Sequence, residues 1–229
     1  MFDYYSPLYG IGLGPGDPEL ITVKALKVLR ECEVLILPES GRAETILKAI
    51  LTPEELTGKK MIPVNIPMSH DSMFIESIYS NMVDIICPLL DMNKTVGYLT
   101  IGDPTLYSSF IKMKEKLENN GYKTKIINGI PAFISVASCC NESLIYGNES
   151  LAINPSSIES ADTVIYMKKK VDLPDLLKEI SDRDDIDSLD IFGPSDAGLP
   201  TQKVYHSIDD LLSDPPDSYF TTIIVKHKK

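Results

Sequence analysis

Two glycine-rich turns contain the residue types in this chain that are best suited to binding or catalysis. The first is the run 10–18, GIGLGPGDP, in which glycine occupies every second position from 10 to 16. The second is Gly102-Asp103-Pro104, at the end of an apolar stretch. Glycine lets another chain segment or a ligand approach the backbone closely, and Asp103 adds a carboxylate. Both turns therefore predict close contacts with the main chain.

The first turn matches neither of the common nucleotide-binding patterns. A G-x-G-x-x-G frame fails at Pro15 when it starts at Gly10 and at Asp17 when it starts at Gly12. No Gly-Lys-Ser/Thr follows, so the run is not a P-loop. A tight turn between a strand and a helix is the alternative explanation, but two glycines would suffice for it, and four favour a further close approach.

The second turn follows a predicted strand, and ligands of open α/β sheets bind at the carboxyl ends of the strands. Gly102 allows contact with backbone there, and Pro104 fixes the turn. For Asp103 two roles are equally open from its residue type, a ligand-binding carboxylate or the N-cap of the next helix.

Alternating strand and helix patterns must position these turns. Apolar runs such as 34–37, closed by Pro38, are typical of buried parallel strands, and Asp17-Pro18-Glu19 predicts a helix start. The acid-rich stretch 172–188 is interpreted as a solvated helix and loop. The order of elements predicts two α/β domains, a mostly parallel one over residues 1–120 and a more mixed one over residues 121–229. Strands are predicted at 8–13, 34–37, 61–66, 95–101, 123–127, 150–153, 163–167, 190–192 and 220–225, and helices at 43–51, 72–90 with an end near Pro88, 108–119 and 132–140.

Charge and composition exclude several classes of function. The chain has 229 residues, with 22 basic against 33 acidic residues and a net charge of −11, which disfavours nucleic-acid partners and anionic membranes. No apolar stretch reaches roughly 18 residues and the first residues do not resemble a signal peptide, so we expect a cytoplasmic protein without a membrane span. Four cysteines without C-x-x-C spacing and three scattered histidines predict reduced thiols and no metal site.

Four segments, in this order, resemble the tetrapyrrole methyltransferases, which are S-adenosylmethionine-dependent enzymes of corrin and sirohaem biosynthesis. The segments are 10–26, 98–107, 128–131 and 164–168, and they extend along nearly the whole chain. Within the family, GPGDPELITVKAL, Pro67-Met68, GDPTLYSSF and the segment 197–202 are most similar to the C20-methyltransferases of precorrin-2 and cobalt-precorrin-2.

The resemblance implies two α/β domains with the active site in the cleft between them, a homodimer, S-adenosylmethionine as methyl donor and a carboxylate-rich tetrapyrrole as acceptor. Relative to the family pattern, Ile101 and Ala197 replace glycines, and Pro131 replaces a threonine, which removes a hydroxyl and an N–H. Core packing is the alternative for Met167, because it ends an apolar strand. The residues that match cofactor-contacting positions are Pro15, Ile101, Gly102, Asp103, Leu106, Pro131, Ala132, Met167 and Ala197.

Methyl transfer from a sulfonium is a displacement in which positive charge is lost. A carboxylate held against the sulfur would stabilise the reactant more than the transition state, so we expect backbone carbonyls and apolar side chains there. Asp103 is the first candidate for a base or for orienting a pyrrole N–H, and Lys168 and Tyr219 are the next candidates. Lys168 is equally explained as a solvated member of the run 168–170.

The carboxylates of the substrate require local cations in this acidic chain. Arg42 is the first candidate because it follows a predicted strand end and a guanidinium can bind a carboxylate through two hydrogen bonds. Lys48 and the run 168–170 are further candidates, and an exposed loop arginine is the commoner finding for Arg42. His70 is conceivable as an axial ligand of a cobalt-containing substrate, with a surface-loop histidine as the simpler interpretation.

The leading hypothesis is C20 methylation of precorrin-2 or cobalt-precorrin-2. The alternatives are methylation of another macrocycle position, as in related precorrin or uroporphyrinogen methyltransferases, the protein-modifying methyltransferase of diphthamide synthesis, and a non-catalytic tetrapyrrole-binding module. The loop 14–19 argues against the diphthamide enzyme, and the two intact glycine turns argue against a carrier. No residue decides between the metal-free and the cobalt-containing substrate.

Overall fold

The computed structural model describes residues 6–39, 41–67, 69, 71–167, 173–199, 201–218 and 220–228. The chain divides into two compact units, of which the N-terminal one ends at Pro131 and the C-terminal one begins at Ala132. Each unit contains one five-stranded sheet.

A parallel sheet forms the centre of the N-terminal unit. Its strands are β1 (Leu8–Gly12), β2 (Val34–Pro38), β3 (Lys60–Val64), β4 (Val96–Thr100) and β5 (Thr124–Ile127). They lie in the order β3-β2-β4-β1-β5, and all neighbours run parallel. Helices must cover both faces of such a sheet, which explains why every residue of the central strand β4 is buried.

The helices of the N-terminal unit are α1 (Val23–Glu31), α2 (Arg42–Ile50), α3 (Pro53–Thr57), α4 (Ser72–Asp91) and α5 (Ser109–Asn119). Helices α1 and α2 bury residues such as Leu29 and Ile46 on one face of the sheet. Helices α4 and α5 bury residues such as Ile86 and Phe110 on the other face. The neighbouring strands β1 and β4 therefore lead to helices on opposite faces, and such a reversal opens a crevice at the carboxyl ends of the two strands. Both glycine turns follow these strands, so the topology brings them to that crevice.

The C-terminal unit has a mixed sheet, as the sequence predicts. Its strands are β6 (Leu151–Ile153), β7 (Thr163–Met167), β8 (Leu189–Ser195), β9 (Lys203–Tyr205) and β10 (Thr222–His227), in the order β6-β7-β10-β8-β9. Only the pair β6–β7 is parallel among the described pairs. Its helices are α6 (Ala132–Cys140), α7 (Leu173–Ser181) and α8 (Ile208–Ser213).

The boundary between the units lies later in the chain than the predicted boundary at 120/121. Strand β5 pairs with β1, with Ile127 opposite Ile11, and Ile127 is fully buried in the N-terminal core. The fifth strand therefore belongs to the first sheet, and the first unit extends to Pro131.

Three predictions for helices differ from the structure. Helix α1 begins at Val23, because Pro18–Leu20 forms a separate 3-10 turn. Helix α4 continues past Pro88 to Asp91, since Leu90 in its last turn is fully buried in the core. Helix α7, predicted as solvated, buries its apolar side and contributes to the second core; the buried residues are Leu176, Leu177 and Ile180.

Helix α4 is the one helix in the described part of the chain that is long and apolar enough to cross a membrane by length and composition. Residues along one side of it, from Tyr79 to Leu90, are buried against the sheet and helix α5. The buried residues of α4 are Tyr79, Met82, Ile86 and Leu90. The four cysteines are free.

Candidate functional site

The two glycine turns meet at the carboxyl edge of the parallel sheet. The Gly102 N–H donates to the Gly14 carbonyl over 2.7 Å, and the Gly14 N–H donates to the Gly102 carbonyl over 3.3 Å. The Leu13 N–H donates to the Thr100 carbonyl over 2.9 Å, which continues the pairing of β1 with β4. Gly14 and Gly102 both have left-handed backbones, with φ of 79° and 81°. A short antiparallel bridge thus joins the two motifs, and glycine is required at both ends of it.

A third turn, at 128–131, closes on the other two. A Cβ atom on Gly12 would lie 2.5 Å from the Gly129 nitrogen, and one on Gly129 would lie 2.2 Å from the Gly102 oxygen. These distances exclude any side chain at either position. The close approach predicted for the glycine run is therefore made, at Gly12, by another segment of the same chain.

Gly10 has a different neighbour. A Cβ atom there would lie 2.4 Å from ring atoms of Phe110, a fully buried residue of α5. The alternating glycines thus serve two contacts, one with a helix and one with a turn.

Thr22 ties the start of α1 to the third turn. Its hydroxyl oxygen accepts from the Ala25 N–H over 3.1 Å as the N-cap of α1, and its hydroxyl donates to the Asn128 carbonyl over 3.0 Å. Asp17 stabilises the preceding turn, because its carboxylate accepts from the Glu19 N–H over 2.9 Å. The predicted cap at Asp17 therefore exists, but it caps the 3-10 turn rather than the helix.

The carboxylate of Asp103 binds both neighbouring turns. One oxygen accepts from the Thr105 N–H over 2.8 Å and from the Thr105 hydroxyl over 2.5 Å. The other accepts from the Gly129 N–H over 3.0 Å and from the Asn128 side-chain amide over 3.2 Å. The residue is only 5% exposed. Asp103 therefore connects its own turn to the third turn through four hydrogen bonds.

These contacts decide the ionisation of Asp103. Burial raises the pKa of this carboxyl, but the hydrogen bonds from Thr105, Asn128 and Gly129 lower it by more, so that the net pKa lies below the usual aspartate value. A carboxylate with a lowered pKa and two engaged oxygens is a weak proton acceptor. The geometry favours a positioning role for Asp103 over the predicted role as a base.

The other N-terminal residues predicted for the site lie around the same edge. Pro15 is buried in the first turn, and Ile101 and Leu106, on either side of Asp103, are partly buried. Pro131 is partly buried and ends the third turn. Arg42 is only 7% exposed and is the first residue of α2, just beyond the carboxyl end of β2. It is thus on the predicted edge, but buried rather than in an exposed loop.

In the C-terminal unit, the matched residues lie at the end of a strand, in the turn after a strand and at the start of a helix. Met167 is the last residue of β7 and is buried. Its N–H donates to the side-chain oxygen of Asn154, just after β6, over 2.8 Å. Ala197 is buried in the turn after β8, between Asp196 and Gly198, which both have positive φ. Ala132 is the first residue of α6 and is partly buried.

Several predicted residues lie outside the described part of the chain, namely Lys168, the rest of the run 168–170, Tyr219 and His70. Among the described residues, no group of three or more His, Cys, Asp or Glu side chains is arranged to hold a metal ion. Lys48 lies in α2, where it pairs with Glu44 over 2.7 Å.

Sequence reasoning did not identify two buried polar atoms beside the matched segments. The Thr100 hydroxyl and the side-chain nitrogen of Asn154 are buried and have no hydrogen-bond partner among the described residues. Thr100 immediately precedes Ile101, and Asn154 binds the backbone of Met167. For Thr100 the available signal is its place at the end of a strand before a glycine turn, and for Asn154 it is the Asn-Pro pair that ends a strand.

A doubly wound parallel unit with glycine turns at its switch point, followed by a mixed-sheet unit, defines an α/β protein of the class whose ligands bind at strand ends. Residues 7–211 match the family model of the Tetrapyrrole (Corrin/Porphyrin) Methylases. The chain therefore belongs to the tetrapyrrole methylases, a family of methyltransferases, and the resemblance and the predicted α/β fold class are confirmed.

Two curated relatives and one solved structure are similar to the chain along much of its length. The chain is 31% identical over 230 residues to the probable cobalt-precorrin-2 C(20)-methyltransferase of Methanocaldococcus jannaschii. This match covers 97% of this chain and 96% of the relative. It is 29% identical over 163 residues to the precorrin-2 C(20)-methyltransferase of Sinorhizobium sp, covering 68% of this chain and 66% of the relative. The uroporphyrin-III C-methyl transferase from Thermus thermophilus, solved with S-adenosyl homocysteine, shares the fold with a TM-score of 0.68, 16% identity and coverage of 96% and 97%.

Proposed function

We propose that this protein is an S-adenosylmethionine-dependent methyltransferase that acts on C20 of precorrin-2 or of cobalt-precorrin-2. The observation that carries the proposal is the convergence of three matched turns, at Gly14, Gly102 and Gly129, on one edge of the parallel sheet. The two relatives named for C20 methylation support this position of the macrocycle over others. The relative aligned along nearly the whole chain is named for the cobalt form, which makes cobalt-precorrin-2 the first substrate to test.

The residues at this edge fit a sulfonium-containing cofactor. When bound, S-adenosylmethionine supplies a methyl group on a positively charged sulfur, and this charge disappears on transfer. The carboxylate of Asp103 is held by four hydrogen bonds from the chain itself, so it is not directed at a ligand. Apolar side chains and backbone remain as contacts, from Pro15, Ile101 and Leu106, and such a surface does not favour the reactant over the transition state.

Asp103 in this proposal positions the turns, and its own backbone and that of Gly102 contact the cofactor. Lys168 and Tyr219 remain the proposed candidates for removing the proton that the methyl group replaces. Pro131, Ala132, Met167 and Ala197 remain proposed cofactor contacts, on the strength of the family resemblance.

Arg42 is the proposed binding residue for a substrate carboxylate. Its burial at the first position of α2 supports the proposal, because a buried guanidinium is only partly hydrated and pairs strongly with an anion. We further propose a cytoplasmic homodimer, with the family resemblance as support; light scattering of the purified protein measures the oligomeric state.

The test of the proposed function is methyl transfer under anaerobic conditions. The protein is incubated with S-adenosylmethionine carrying a ¹³C-labelled methyl group and with either precorrin-2 or cobalt-precorrin-2. We expect one added methyl group by mass spectrometry and its attachment at C20 by NMR. Transfer to a different carbon would assign the chain to another branch of the family, and macrocycle binding without transfer would identify a carrier; both results contradict the proposal.

A further inference from the structure

Asn154 connects the ends of two strands in the C-terminal unit. Its side-chain oxygen accepts from the Met167 N–H over 2.8 Å, and its own backbone N–H donates to the Ile165 carbonyl over 2.7 Å. Strands β6 and β7 run parallel, so these contacts lie at the carboxyl ends of both. The side chain of Asn154 is thereby fixed beside Met167, with its oxygen already engaged.

The backbone of Asn154 is left-handed, with φ of 49°. Asparagine tolerates this region better than most residues other than glycine, so the residue type suits the conformation. Two other asparagines with positive φ, Asn93 and Asn141, are exposed to solvent. Conformation alone therefore does not explain why the side chain of Asn154 turns inward.

The other half of the Asn154 carboxamide is unsatisfied. Its nitrogen is buried and has no hydrogen-bond partner among the described residues. Buried amide N–H groups almost always have partners, because an unpaired donor loses its hydration without compensation. The acceptor for this donor must therefore be an ordered water or a bound ligand.

We propose that Asn154 binds S-adenosylmethionine directly, with its side-chain nitrogen donating to an acceptor oxygen or nitrogen of the cofactor. This inference rests on the proposed function, since it takes the cofactor to contact Met167. The Met167 N–H holds the carboxamide in one orientation, so that only the nitrogen is presented. Asn154 is not among the residues matched to the family pattern.

The decisive variant is Asn154→Asp. Aspartate keeps an oxygen for the Met167 N–H and tolerates the left-handed backbone, but it lacks the amide hydrogens. Calorimetric titration with S-adenosylhomocysteine is expected to give a Kd at least about tenfold higher than for the wild-type protein. The matched control is Asn141→Asp, which makes the same charge change at an exposed position of similar backbone conformation and should leave the Kd unchanged.

An unchanged Kd for Asn154→Asp would overturn the inference and leave Asn154 as a residue that only holds Met167. A thermal unfolding curve shows whether this variant folds. If it does not fold, the wild-type protein is used to test whether Asn154 contacts the cofactor. Its Asn154 side-chain amide resonance should shift on titration with S-adenosylhomocysteine, and an unshifted resonance at saturation overturns the inference. Absence of any binding of S-adenosylhomocysteine to the wild-type protein would instead overturn the proposed function itself.

Discussion

Asp103 accepts hydrogen bonds from Thr105, two residues away, and from Asn128, which is 25 residues away in the sequence. The residue type leaves a ligand role and a helix-capping role open. The structure adds a third possibility, a carboxylate that fixes the turns on which the site is built. The distant partners of Asp103 could not be inferred from sequence, because they depend on the pairing of β5 with β1.

We expect Asp103→Asn to destabilise the protein by about 2 kcal/mol or more at neutral pH, because its amide group cannot accept all the bonds that the carboxylate accepts. The folded pKa of Asp103 is lowered, so its stabilising contribution is present above the unfolded pKa and is lost as the pH falls through the folded value. The difference between the two proteins should therefore be largest near pH 7 and shrink below about pH 4. Denaturant unfolding at several pH values measures it.

The control for this prediction is Asp17→Asn. Asp17 accepts one backbone hydrogen bond in a turn, a task that asparagine performs equally well. Its unfolding free energy should stay within about 0.5 kcal/mol of the wild-type value. A pH-independent difference for Asp103→Asn would contradict the assignment of the effect to the carboxylate.

The second prediction for a single residue concerns Arg42. We expect Arg42→Ala to raise the Kd for the tetrapyrrole about tenfold or more, because the variant loses a guanidinium that can bind a carboxylate through two hydrogen bonds. Binding of S-adenosylhomocysteine should be unchanged. Calorimetry measures the Kd of the variant for each of the two ligands. The control is Arg30→Ala, which removes an exposed arginine of α1. Equal losses for both ligands, or for neither, would contradict the assignment of Arg42 to the substrate.

At the scale of elements, strand β1 and helix α5 are in contact through Gly10 and Phe110. We expect Gly10→Ala to cost about 1–3 kcal/mol, because the added methyl group would overlap the buried Phe110 ring. Adding Phe110→Leu should recover part of this loss, since it removes ring atoms at the point of overlap. Unfolding of the two single variants and the double variant gives the coupling free energy.

Gly58→Ala is the control for that cycle, because a Cβ atom at Gly58 would contact nothing within 4 Å. It should change the unfolding free energy by no more than about 0.5 kcal/mol. If the two substitutions change the unfolding free energy additively, Phe110→Leu recovers nothing. The loss of stability in Gly10→Ala would then not arise from the contact with helix α5.

Most of the elements in the N-terminal unit follow from apolar runs and their punctuation, and helix α6 and strand β7 have the predicted bounds. The errors occur where tertiary contacts override local signals. Gly193-Pro194 has the composition of a turn, yet both residues extend β8 because they pair with β9. Strand β9 and helix α8 are too short to give a periodic pattern, so only the assembled sheet identifies them.

The sequence was sufficient to predict which turns form the candidate site, but not the contacts between them. The motif order locates the two glycine turns at strand ends, and the structure joins them. The neighbours of Gly10 and Gly12 were not predictable, because the sequence shows only that something comes close. The unpaired side-chain nitrogen of Asn154 could not be predicted either, because its position depends on the register of two short strands.

At the scale of the whole molecule, the two units have separate sheets and separate cores. We expect the fragment 1–131 to unfold cooperatively, because it contains all five strands of its sheet. The fragment 1–120 lacks β5 and with it Ile127 and Gly129, so it should be markedly less stable or unfolded. Thermal unfolding followed by circular dichroism compares them. Equal stability of the two fragments would place the boundary at 120 after all.

The three-way contact of Gly12, Gly102 and Gly129 also fixes an order of events during synthesis. The chain leaves the ribosome from its N-terminus, so the turn that contains Gly12 emerges early and the turn that contains Gly129 emerges late. A nascent chain that ends before residue 129 carries the first two turns without the segment that closes on them. This edge of the sheet therefore acquires its complete shape only after the fifth strand has docked.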